Sequence, residues 1–219
     1  MTCFTLNGKT VISRSSPSTR LSEVLRSEMG LSGTKIGCNA GDCGACSVLL
    51  DDAPICSCLT TVAQVGGAKV TSIEGLNAEN IISKLQESFL AHGAAQCGIC
   101  TPGMMVAAHA LLNKNPTPNR CDVEDALGGV LCRCTGYGKI IEAVLAVNLD
   151  RPARSLPKVG CSVGIPIRHL DGQSKVDASL LYGDDAAPQE SLMVRVIRSP
   201  HHYASFKIGD KAAFLLKHP

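Results

Sequence analysis

Apolar and polar positions along the chain change rhythm twice. Phe4-Thr-Leu6 and Lys9-Thr-Val-Ile-Ser13 read as strands on either side of Asn7-Gly8, a dipeptide that closes tight hairpins. Leu21, Val24, Leu25 and Met29 then fall at helical spacing, with Ser18 or Thr19 as the cap and Gly30 as the stop. Ser47-Val-Leu-Leu50 and Pro54-Ile-Cys-Ser-Cys58, joined by Asp51-Asp52-Ala53, predict a second hairpin, and Lys69-Val-Thr-Ser-Ile73 a further strand. Two hairpins and one helix over residues 1–75 predict a small α+β domain.

Over residues 76–150 the period becomes helical. Ile81, Ile82, Leu85, Phe89 and Leu90 make one apolar face. Thr101-Pro102 has the form of a cap followed by proline in the first turn and leads into Met104 to Leu112. Thr117-Pro118 repeats that signal ahead of Val123, Ala126 and Leu127, and a last helix carries Ile140, Ile141, Val144, Leu145 and Val147. Four short helices predict an antiparallel bundle. Residues 151–161 hold prolines, glycine and basic residues and read as a linker. Residues 162–219 return to strand-like patterning, clearest in Leu192-Met-Val-Arg-Val-Ile197.

Composition narrows the chemistry. The net charge is +2 over 219 residues, and the small basic excess lies in the last third, too dilute for a phosphate-binding stripe. No nucleic-acid partner is expected. No run of apolar residues is long enough for a membrane span, and no leader precedes the first strand. Twelve cysteines in that setting point to a reducing, cytoplasmic compartment and to metal ligation in place of disulfides.

The cysteines form two sets. Cys38, Cys43 and Cys46 have the C-x4-C-x2-C spacing of plant-type [2Fe–2S] ferredoxins, with a fourth ligand expected downstream. Gly37, Gly41 and Gly44 let backbone N–H groups approach the sulfurs, which stabilises anionic thiolates and tunes the potential. Zinc fits this first gap poorly, since zinc sites favour paired C-x2-C ligands. Cys56 and Cys58 both qualify as the fourth ligand, because residues two apart on a strand face the same side. The second set is Cys97, Cys100, Cys132 and Cys134, each pair standing before a helix start, where free N–H groups favour an anionic cluster. Spacing alone leaves a four-cysteine zinc site open there. Cys3, Cys56, Cys121 and Cys161 read as small buried hydrophobes if they are not ligands.

Three segments carry a family resemblance: Gly37-Cys-Asn-Ala-Gly-Asp-Cys-Gly-Ala-Cys46, Gln96-Cys-Gly-Ile-Cys-Thr-Pro-Gly103 and Leu131-Cys-Arg-Cys-Thr-Gly-Tyr137. The chain over residues 1–150 resembles the iron–sulfur region of the molybdenum hydroxylases, the xanthine dehydrogenase and aldehyde oxidoreductase family. The resemblance implies an α+β architecture of a β-grasp [2Fe–2S] ferredoxin domain followed by a four-helix-bundle [2Fe–2S] domain. It implies Cys38, Cys43, Cys46 and Cys58 as one ligand set and Cys97, Cys100, Cys132 and Cys134 as the other. It also implies that Gln96 and Cys134 contact a molybdopterin cofactor. Val163-Gly-Ile-Pro166, Leu170-Asp-Gly172, Lys175-Val176 and Arg198-Ser-Pro-His201 resemble, more weakly, the start of the molybdopterin-binding α/β domain over residues 162–219. Asp177-Ala178 stands where the family often has Thr-Gly.

The implied function is the electron-transfer part of an oxidoreductase that hydroxylates an aldehyde or an N-heterocycle such as a purine, with water as the oxygen source. No catalytic residue is expected in this chain. Most molybdopterin contacts and the family's glutamate base belong to a partner subunit or downstream domain. The flavin domain of the animal enzymes is absent, so a separate FAD subunit or an external acceptor takes the electrons. The competing reading is a stand-alone two-cluster carrier. The six histidines form no ligand set and are expected to be structural or exposed. Arg133, between two expected ligands, reads equally as a tuning charge or an exposed arginine, and Tyr137 is expected to pack at the cluster edge.

Overall fold

The structure, a computed structural model, describes residues 1–77, 79–149, 157–165, 167–188, 190–192 and 194–217. β1 (Thr2–Leu6) and β2 (Lys9–Ser13) pair antiparallel, Thr2 opposite Ser13 and Leu6 opposite Lys9. Asn7 and Gly8 both take positive φ, 50° and 79°, which matches the turn to the right-handed twist of its strands. β3 (Ser47–Leu50) and β4 (Ala53–Cys56) form the second hairpin, with Asp51 and Asp52 at φ 47° and 66°. β5 (Lys69–Thr71) lies parallel to β1 and antiparallel to β3, giving the order β2-β1-β5-β3-β4. A helix crosses this sheet: α1 (Leu21–Glu23) widens into a π-helical turn over Val24–Glu28. Phe4, Leu6, Val48 and Val70 meet Leu21, Val24 and Leu25 in one buried cluster. The arrangement is the expected β-grasp.

Past the sheet come α2 (Ile73–Leu76), α3 (Asn80–His92), α4 (Thr101–Lys114), α5 (Arg120–Leu127) and α6 (Tyr137–Leu145). Thr101 to Ala110 are buried without interruption, so α4 is the central helix. Its sequence, apolar on every side, is that of a helix surrounded by others. Ile82, Leu85 and Phe89 of α3 and Ile140, Ile141 and Val144 of α6 close around it.

Several element ends differ from expectation. Arg20, without a side-chain bond, caps α1 in place of Ser18 or Thr19. β5 stops at Thr71, and Ile73 belongs to α2. Thr101 is already inside α4, whose N-cap is Cys100. α5 is capped by Asn119, two residues past Thr117: the Asn119 side chain accepts the Asp122 N–H at 3.0 Å, and Asp122 returns the bond at 2.9 Å. That reciprocal capping box outcompetes the Thr-Pro start.

Residues 1–185 form one compact unit and 186–219 a second. The first unit therefore extends past the expected linker 151–161, of which residues 151–156 lie outside the described residues, as does Pro166 further on. Past the linker, α7 (Gly172–Val176) sends Val176 into the helical core beside Ala178. Ala178 takes φ 66°, a conformation that glycine adopts at least cost. Its buried methyl group offsets part of that strain. The local cost thus falls where the chain departs from Thr-Gly. In the second unit α8 (Lys211–Lys217) is helical, and no strand occurs among the described residues of 192–197, Met193 lying outside them. Leu192, Val194, Val196 and Ile197 are exposed, so alternation there lacks the sheet partner a strand needs.

Candidate metal centres

Residues 37–46 form the loop between the π-helical turn and β3. The N–H groups of Ala40 and Cys43 donate to Cys38 Sγ at 3.3 and 3.4 Å. With the Ala40 bond foremost, they lower the Cys38 thiol to about 6, so it is a thiolate at neutral pH. Side chains at two glycines would obstruct this cradle. A Cβ on Gly37 would stand 2.9 Å from Cys43 Sγ, and one on Gly41, at φ +85°, would collide with Leu59. Gly44 serves a different contact: its Cβ would meet the Gly129 carbonyl and Val130 Cα of the helical region.

The two candidates for the fourth position are not on one strand. β4 ends at Cys56, and Cys58 lies in the following turn, held by Ser57, whose Oγ donates to the Cys46 carbonyl at 2.7 Å. Both sulfurs come close to Cys46. Their backbone partners differ. Cys58 receives an N–H from Gly41, as a thiolate would, whereas Cys56 Sγ makes a long donor contact of 3.9 Å to the Gly41 carbonyl. As free thiols both are pushed up by burial, Cys58 to about 11.

Cys97 and Cys100 stand immediately before α4, and Cys132 and Cys134 lie ahead of α6. The Gly136 N–H donates to Cys132 Sγ at 3.3 Å, and the Cys132 N–H donates to Tyr137 Oη at 2.7 Å. Tyr137 therefore holds the backbone of the loop that carries Cys132. Burial pushes the Cys100 thiol up to about 12, and also raises Cys97, while the Cys97 backbone bond lowers Cys134. Gln96 is exposed and its amide lies near Gly136; with Cys97 and partly exposed Cys134 it forms an open edge. Arg133 is exposed.

Among the described residues, no three His, Cys, Asp or Glu side chains converge as ligands of one metal ion do. The thiols meet within each set: Cys38 with Cys43, Cys46 with both Cys56 and Cys58, Cys97 with Cys134, and Cys132 with both Cys100 and Cys134. A [2Fe–2S] cluster takes four thiolates across its two irons, and backbone N–H donors of this kind suit its anionic sulfur. Cys3, Cys121 and Cys161 are exposed, and Cys56 is partly so, which corrects their expected burial. His109 is buried against Glu79 Oε2 at 2.7 Å, and His92 bonds the Ser88 carbonyl. His169, His201 and His202 are exposed, and His218 lies outside the described residues.

The two sets are physically joined. Leu131, the neighbour of Cys132, donates its N–H to the Cys43 carbonyl at 2.9 Å. A Cβ on Gly103 of α4 would stand 2.6 Å from the Gly44 carbonyl, so glycine allows backbone to pack on backbone there. Periodicity and spacing carry no sign of this bridge. A second contact invisible in the sequence is the hydrogen bond of 2.6 Å from Tyr182 Oη to the Cys97 carbonyl.

Comparison with known proteins agrees with both halves. The family model described as 2Fe-2S iron-sulfur cluster binding domain matches residues 4–64, and that described as [2Fe-2S] binding domain matches 72–145. A probable xanthine dehydrogenase subunit of Bacillus subtilis is 44% identical over 147 residues, covering 67% of this chain and 84% of that protein. The aldehyde oxidoreductase of Megalodesulfovibrio gigas is 37% identical over 209 residues, but the match spans only 23% of that protein. A chain of the solved quinoline 2-oxidoreductase from Pseudomonas putida superposes with a TM-score of 0.63 at 44% identity, over 67% of this chain and 91% of that one. The chain belongs to the molybdenum hydroxylase family, as its electron-transfer part with two [2Fe–2S]-binding domains.

Proposed function

We propose that Cys38, Cys43, Cys46 and Cys58 hold one [2Fe–2S] cluster and Cys97, Cys100, Cys132 and Cys134 the other. In this reading the chain relays electrons from a molybdopterin centre to an acceptor. The ferredoxin-like domain covers residues 1–75, the helical domain 76–150 and the linker 151–161, and 162–219 open the molybdopterin-binding half. Gln96 and Cys134, on the open edge, face the molybdopterin held mainly by a partner subunit or downstream domain. A cytoplasmic setting suits twelve cysteines kept as thiols; among the described residues no helix is long and apolar enough to cross a membrane.

The Leu131–Cys43 hydrogen bond carries the relay reading. Each [2Fe–2S] cluster, when bound, supplies one-electron oxidation and reduction. The chain supplies the rest. Burial of Cys46, Cys58, Cys100 and Cys132 excludes water from one side of each set. Backbone N–H groups at Cys38 and Cys132 stabilise negative charge on sulfur. From Cys43 the connection crosses one hydrogen bond of 2.9 Å to Leu131 and continues through a single peptide to Cys132. A stand-alone two-cluster carrier would have no need of residues 162–219, which resemble the start of a molybdopterin-binding half.

The substrate class is an aldehyde or an N-heterocycle, oxidised in the partner, with FAD or an external acceptor downstream. The test is to purify the chain from its native host with whatever binds it, measure molybdenum and pterin, and add candidate aldehydes and purines anaerobically. Bleaching of the iron–sulfur absorbance by one of them, with molybdenum and pterin present, is the expected result. Iron–sulfur protein that purifies alone, without molybdenum, would establish the stand-alone carrier instead.

A further inference from the structure

Residues 169–185 form a strap that ties the two iron–sulfur regions together. On the helical side, Asn77 Nδ2 donates to the Asp177 carbonyl at 3.0 Å and Gln86 Nε2 to the Val176 carbonyl at 3.4 Å. On the other side, Lys35 Nζ donates to the Leu180 carbonyl at 2.9 Å, and Arg26 pairs with Asp185. Asp185 in turn accepts the Tyr182 N–H at 3.2 Å. Lys35 is only 3% exposed, and its ammonium lies 5.1 Å from the centroid of the Tyr182 ring. The ring is thus clamped between a buried cation and its own backbone.

At the tip of the strap, Tyr182 Oη donates to the Cys97 carbonyl at 2.6 Å. The ligand loop is built to receive it. Gly98 follows Cys97 at φ +93°, and a Cβ there would collide with Tyr182 Oη and stand 2.8 Å from Lys175 Cγ. Here glycine serves the strap, since the close atoms belong to it. We propose that Tyr182 is a positioning residue for the second cluster: by donating to the Cys97 carbonyl it fixes the ligand loop and raises that centre's reduction potential. The inference rests on the cluster assignment above.

The sign follows from charge. Reduction adds an electron to an already anionic centre, and a donor that draws density from the ligand's peptide stabilises the reduced form. Lys35 behind the ring adds positive potential in the same sense, while Asp171, paired with Lys175 at 2.7 Å, is largely neutralised. The tuning group lies outside the segments matched by either iron–sulfur family model, 4–64 and 72–145. The second centre's potential therefore depends on a residue from the segment after the linker.

The test compares redox titrations of the full chain, wild type and Tyr182→Phe, followed by EPR. Iron content is measured first, and Cys100→Ser identifies the signal of the second centre. Tyr182→Phe keeps the ring and its contact with Lys35. The expected result is a shift of that signal alone to lower potential, with its reduced-to-oxidised ratio at fixed potential falling about fivefold, one neutral hydrogen bond's worth. Tyr182→Ala moves the same signal in the same direction and also speeds iron loss from that centre. Tyr182→Phe signals that stay unmoved, move upward, or move together by equal amounts would overturn the proposal. Wild-type protein lacking two iron–sulfur signals would instead overturn the cluster assignment beneath it.

Discussion

Single residues decide which sulfur does what. Among the cysteines of the first set, Cys38 is the one lowered to about 6, by N–H groups that act only in the folded loop. The iron-free chain should therefore react with iodoacetamide at Cys38 faster at pH 7 than at exposed Cys3 or Cys121. That advantage follows the thiolate: it disappears as the pH falls through about 6 and narrows in alkaline solution, where ordinary thiols ionise as well. Equal labelling of the three at pH 7, read by peptide mass spectrometry, would refute it. The fourth ligand makes a sharper case. Sequence spacing left Cys56 and Cys58 equal because it presumed a continuous strand, and the strand ends between them. Cys58→Ser is expected to lose about one cluster's iron while Cys56→Ser keeps it. The reverse would move the ligand to Cys56.

At the scale of elements, sequence legibility depended on whether local chemistry had competitors. Both hairpin turns were readable because Asn7-Gly8 and Asp51-Asp52 face no rival conformation that suits twisted strands. Helix interiors were readable from their apolar periods. Helix starts were not, because caps compete over two or three residues: Asn119 with its reciprocal Asp122 bonds displaced Thr117. Asn119→Ala should destabilise the chain by about 1 kcal/mol, visible as a lower denaturant midpoint, whereas Thr117→Ala should cost less. Equal losses from the two would contradict the capping assignment. Residues 192–197 show the opposite failure, since alternation alone carries no strand without a neighbour.

At the scale of the whole molecule, the two cysteine sets were legible and their connection was not. Motif spacing reports ligands along the chain but is blind to backbone contacts between residues far apart, such as Leu131 with Cys43 or Gly103 with Gly44. Those contacts pack the two binding domains directly against each other. Gly103→Val would drive the surfaces apart and should slow electron equilibration between the centres, while each keeps its own iron. Unchanged equilibration, followed by rapid-freeze EPR, would show that the close packing does not set the rate. The central claim, that each four-cysteine set carries a [2Fe–2S] cluster, is tested most directly by stepwise reduction of the purified chain with spin-quantified EPR. About four irons per chain and two distinct signals of about one spin each, reduced independently, are expected. A single signal, or stoichiometric zinc in place of half the iron, would contradict it.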